Sequence, residues 1–165
     1  MSDSDPIFDH ERLECPPDLE YETEQLLPVV VGAHPRAEFN DRPWAGRLVR
    51  GMRQWLRENG EDEQKGLLPV VVTDVWYLND ELLMQQPVVV LGEPGRNAAA
   101  AYFATRMPSV YSIDNACQLL MDSELLDVKA CLWGVNDEST EAVVKYFETK
   151  WLAKFIDAAQ LHTDV

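Results

Sequence analysis

The chain has 165 residues, 46% of them hydrophobic, with 14 basic and 29 acidic side chains and a formal charge of −15. That length suits one domain with a substantial core. The acidity disfavours nucleic acid and anionic membranes as partners, and no apolar run approaches the ~18 residues of a membrane-spanning helix.

The charge is unevenly spread. Residues 1–25 hold nine acids and one base, Arg12, while residues 36–57 hold six arginines against Glu38 and Asp41. The first stretch, with Pro16–Pro17, reads as an acidic leader that is disordered or draped over the surface. A single α/β domain is expected over 26–160, followed by a short tail at 161–165. An acidic leader and a basic helix in one chain make a homo-oligomer the candidate assembly. Cys15, Cys117 and Cys131 form no C-x-x-C pair and no secretion signal precedes them, so reduced thiols and a cytoplasmic location are expected.

Leu26 to Val31 is a continuous apolar run, the pattern of a strand buried on both faces. A loop follows from Ala33 to Arg42. Asn40 or Asp41 is placed to cap the next helix, with Pro43 in its first turn. Trp44, Leu48, Met52 and Trp55 give that helix one apolar face, and Asn59–Gly60 ends it. Leu67 to Thr73 is a second buried strand. Asp74 follows directly, and Asn79 or Asp80 caps a short helical turn through Met84.

Pro87 to Met107 is the most informative stretch. Val88 to Leu91 reads as a third buried strand, Gly92 and Gly95 as bends that a side chain would obstruct, and Asn97 as the cap of a helix opening with Ala98 to Ala101. Small residues let that helix lie close to a sheet. Pro108 stops it, and Val110 to Ile113 is a weaker fourth strand. Cys117 to Met121 and Val128 to Trp133 are either an antiparallel pair or a short helix and a strand. Asn136 or Asp137 caps a final helix with Val144, Phe147, Trp151 and Phe155 on its apolar stripe.

Buried strands alternating with amphipathic helices imply an α/β three-layer sandwich with a mainly parallel sheet and an antiparallel edge. The likeness is architectural, flavodoxin-like or Rossmann-like, and the motifs name no family. In such sheets ligands bind beyond the C-terminal strand ends. His34, Asp74 and Glu93 are the candidate catalytic residues there, with Asp74 orienting His34 as a general base. Gly92, Gly95, Arg96 and Asn97 are the candidate anion-binding turn, Trp76 and Trp133 candidate floors of a pocket, and Asn136 a further candidate ligand-binding residue on the same rim.

The spacing Gly-Glu-Pro-Gly at 92–95 is neither a dinucleotide fingerprint nor a P-loop. No cofactor is identifiable, a nucleotide or other small anion is the candidate ligand, and no metal site is expected. Three functional readings stand open. One is a binding domain for a nucleotide or other small anionic ligand. Another is a hydrolase or glycosyl-type transferase using His34, Asp74 and Glu93. The third is an interaction or assembly domain using the acidic leader and the arginine-rich helix.

Overall fold

A computed structural model describes residues 21–60 and 66–163. The acidic leader therefore falls largely outside the described residues. Only its end is seen, as a 3-10 turn at Thr23–Gln25 leading into the first strand.

The strands are β1 (Leu26–Val31), β2 (Leu68–Thr73), β3 (Val88–Leu91), β4 (Ser109–Ile113), β5 (Cys117–Met121) and β6 (Lys129–Gly134). They form one sheet in the order β2-β1-β3-β6-β5-β4. Pairing is parallel from β2 through β1 and β3 to β6, with Val30 opposite both Val72 and Val90. β5 runs against both of its neighbours. The three oily runs are thus adjacent parallel strands, and the segments flanking residues 122–124 form the antiparallel pair.

Both faces of the sheet are covered, which explains the unbroken apolar runs. On one face lie α2 (Arg42–Glu58), α6 (Asp137–Lys150) and α7 (Leu152–Thr163). Their Leu48, Met52, Phe147 and Phe155 pack with Leu27, Val29, Val31, Val89 and Leu91. On the other face lie α3 (Asp74–Asn79), α4 (Glu81–Met84) and α5 (Ala98–Ala104). Their Tyr77, Leu83, Ala99, Ala100 and Phe103 pack with Val30, Val72, Val88 and Val90. Successive residues of β1 and β3 feed opposite faces, as the pleat requires. Ala99 and Ala100 are fully buried, so the alanine run does let α5 lie close to the sheet.

Three local expectations change. The loop after β1 contains a short helix, α1 (Pro35–Asn40), started by Pro35 at its first position and by His34, whose ring accepts the Arg36 N–H. The last helix divides at Trp151, where φ −125 and ψ −25 leave the helical basin. Phe147 and Phe155 meet edge to face across that break at 5.7 Å, so the apolar stripe persists without a continuous helix. α7 also continues through Thr163, beyond the point at which the tail was expected to begin.

The outer edge of β2 is blunted. Pro69 lies in this edge strand, and Arg53 from α2 directs both Nε and Nη2 at its carbonyl, at 3.2 and 2.9 Å. Arg47 of the same helix pairs with Glu148 at 3.0 Å. Two of the arginines in the basic stretch thus serve the fold itself.

Candidate functional site at the β1–β3 switch point

The order β2-β1-β3 creates a topological switch: the chain leaves β1 toward α2 on one face and leaves β3 toward α5 on the other. The loops after β1 and β3 therefore part at the C-terminal edge, the place where open α/β sheets accept ligands.

Two of the expected rim residues, Asp74 and Asn97, brace these loops. Asp74, buried at the start of α3, accepts the Ala33 N–H on Oδ1 at 3.0 Å and the Ala98 N–H on Oδ2 at 2.7 Å. One carboxylate thus ties the loop after β1 to the loop after β3. Asn97 is buried and fully engaged. Its Oδ1 accepts from Ala99 and Ala100, and its Nδ2 donates to the carbonyls of Val30 and Leu91. The first amides of α5, where an external anion would be expected to bind, are thus already paired with Asp74 and Asn97. His34 and Asp74 point their bonding at different backbone amides, and His34 is exposed.

The two glycines of the turn differ. Gly92 has φ +126, and an added Cβ would stand 2.8 Å from Asp41 Oδ2. Gly95 has no such φ, and a Cβ there would meet open space. The expectation of a forced bend holds for Gly92 and is corrected for Gly95, where the turn is closed by the Arg96 and Asn97 amides donating to the Glu93 carbonyl. A third glycine matters more than Gly95: a Cβ on Gly32 would fall onto the Arg96 carbonyl, so the two loops touch backbone to backbone.

Trp76 and Asn136 stand farther along the rim. Trp76 is 50% exposed, and its indole N–H donates to Asp80 at 3.3 Å. Asn136 caps α6 through a reciprocal arrangement with Ser139. Both remain on the same edge, Trp76 in the first turn of α3 after β2 and Asn136 in the loop after β6.

The residue that the sequence did not single out for chemistry is Asp41. It stands at the joint of α1 and α2, in the N-cap position of a long helix, yet its side chain makes no cap bond. Its backbone is helical at φ −97 and ψ −37 because α1 runs straight into α2. The carboxylate instead turns inward, with its side chain 3% exposed and Oδ1 3.7 Å from Arg96 Nη2. Among the described residues Oδ2 has no hydrogen-bond partner. Arg96 also meets Glu93, Nε to Oε1, at 3.1 Å.

Burial dominates the titration of Asp41, against the attraction of Arg96 and with the repulsion of Glu93 and Asp137, and pushes its carboxyl up to about 6. An aspartate that forgoes a cap worth about 1 kcal/mol and accepts desolvation breaks a local rule of stability. Such breaches concentrate at functional sites. The cluster of Asp41, Glu93 and Arg96, with Asp137 in electrostatic reach, is the candidate site.

No family model matches this chain, and neither does any curated protein or solved structure. Among the described residues no helix is long and apolar enough to cross a membrane, and no group of three or more His, Cys, Asp or Glu side chains is arranged to hold a metal ion.

Proposed function

We propose that this chain is a small-ligand-binding α/β domain whose site is the crevice between the loops after β1 and β3, with Arg96 receiving an anionic group of the ligand. The observation that carries this reading is Asp41: a buried carboxylate with one oxygen unpartnered, set 3.7 Å from Arg96 at the switch point. The ligand meets the Arg96 side chain rather than the amides of α5, because Asp74 and Asn97 already occupy those. Arg96 is held loosely enough to be shared. Its contact with Asp41 is longer than a hydrogen bond, and Glu93, its other partner, is 37% exposed at the side chain.

An amide NMR titration with acetate, inorganic phosphate, ADP and a panel of amino acids tests the reading. The Gly92 and Arg96 amides should move with at least one probe, and Arg96→Ala should remove the response. Amides that stay in place with every probe at millimolar concentration would overturn it.

A catalytic reading on the same rim is favoured by the burial of the Asp41 carboxylate beside Arg96 and Glu93, which pushes its carboxyl up to about 6. A group that titrates near neutrality can both give and take a proton. In this reading Asp41 and Glu93 carry protons for a hydrolase or glycosyl-type transfer. Turnover in a substrate screen, lost in Asp41→Asn with the fold intact, is the expected result. Turnover indifferent to that substitution would remove the reading.

A further inference from the structure

The charge of the crevice narrows the ligand further. One guanidinium, Arg96, stands among three carboxylates: Asp41, Glu93 and Asp137. A phosphate or nucleotide would bring two or more negative charges into a setting that is already net negative. The donors that usually offset such charge at a strand-to-helix turn are paired internally, Ala98 with Asp74, and Ala99 and Ala100 with Asn97. A simple cation would offset that charge but has no acceptor to offer the Arg96 fork. A fitting ligand brings a donor for Asp41 Oδ2 and an acceptor for the uncommitted part of the Arg96 fork, and carries no net charge itself.

Resting on the reading that the crevice binds a small ligand through Arg96, we propose that the ligand is a small zwitterion, an α-amino acid or a close relative. Its carboxylate takes the Arg96 guanidinium, a pairing with planar two-bond geometry. Its ammonium, with three donors and no acceptor, lies against Asp41 Oδ2 and Glu93. The ligand carboxylate replaces Glu93 on Arg96, and the released Glu93 turns to the ammonium. The side chain of Arg96 is only 13% exposed and lies against Asp41. Its displacement opens the buried carboxylate, while Asp74 and Asn97 keep the two loops in place. Neutral overall, the ligand adds nothing to the local excess of negative charge.

Calorimetry and amide NMR with single probes distinguish this from the broader reading. The probes are individual L-amino acids and glycine, acetate for the anion alone, ethylamine for the cation alone, and inorganic phosphate and ADP for multiple negative charges. At least one amino acid should bind about tenfold or more tighter than both acetate and ethylamine. Asp41→Asn, which keeps the shape, should weaken that amino acid about tenfold or more while acetate, relieved of one neighbouring negative charge, binds no more weakly. Arg96→Lys, which keeps the charge but not the fork, should weaken the amino acid and acetate alike. Phosphate or ADP binding as tightly as every amino acid would overturn the zwitterion and leave the Arg96 anion site standing. Binding of an amino acid that survives Asp41→Asn would equally overturn it. Failure of every probe to bind would overturn both readings.

Discussion

Asp74 Oδ2 accepts the Ala98 N–H at 2.7 Å, so the N-terminus of α5 is met by a carboxylate of the protein's own. The partner oxygen takes the Ala33 N–H, and the chain thereby locks the loops after β1 and β3 together from the end of β2. Removing the carboxylate leaves two amides without an acceptor. Asp74→Ala should lose about 2–5 kcal/mol in urea unfolding, and Asp74→Asn, which retains one acceptor oxygen, should lose less. Formate added to the alanine variant should recover part of the loss while leaving the native chain unmoved. An alanine variant as stable as the native chain would show that the clamp contributes nothing.

Asp41 makes stability depend on pH in an unusual direction. Its carboxyl is raised from 3.8 to about 6 on folding, so between those values the folded chain holds more protons than the unfolded one. The contribution is fully present below about pH 4 and lost as pH rises through about 6, on the order of 3 kcal/mol in all. Asp41→Asn carries no charge to bury, and should be more stable than the native chain at pH 7 and lose this component of the pH profile. Urea midpoints across pH 4–8 check it. Parallel profiles for the two chains would contradict the buried, ionised carboxylate.

Gly32 and Gly95 should respond oppositely to alanine. The Gly32 Cβ would strike the Arg96 carbonyl, a backbone atom that cannot swing aside. Gly32→Ala should cost about 3 kcal/mol or more. Gly95 is exposed with open space at its Cβ and no left-handed φ. Gly95→Ala should be neutral or gain about 0.4–1 kcal/mol by restricting the unfolded chain. Thermal midpoints of the two variants decide between this arrangement and one in which the turn depends on Gly95.

Leucine at Ala99 or Ala100 should overpack the interface of α5 and the sheet by about 1–3 kcal/mol, because both side chains are fully buried. Ala98 and Ala101 face solvent on the same helix and serve as controls, where leucine should change little. Equal tolerance at all four positions would contradict the close approach of α5 to β1 and β3.

The parallel core was legible because its signals are local and strong. Three β-branched runs become neighbouring strands, with β1 and β3 buried on both faces and β2 half-buried at the edge. Asn97 was legible as a cap, and Asp80 and Asn136 each as one of two candidates beside Asn79 and Asp137, for the same reason: each acts on amides two or three residues away. Less local features were harder to read. α1 is one short helix started by Pro35 and His34, and the division at Trp151 interrupts a stripe that looks continuous in sequence.

The candidate site divides along that line of sequence distance. From the sequence alone came the edge of the sheet that carries it, together with Gly92, Glu93 and Arg96, which lie within one turn after a strand. Tertiary structure alone decided which polar groups are committed and which are left over. Asp74 acts on Ala98 and Ala33, Asn97 on Val30, and Asp41 turns from its own helix toward Arg96, all through contacts between segments distant in sequence. Residue type fixes what a carboxylate can do. Whether it braces a backbone amide or stands buried with an idle oxygen depends on the partners that folding brings within 3 or 4 Å of it, roughly hydrogen-bond and ion-pair range.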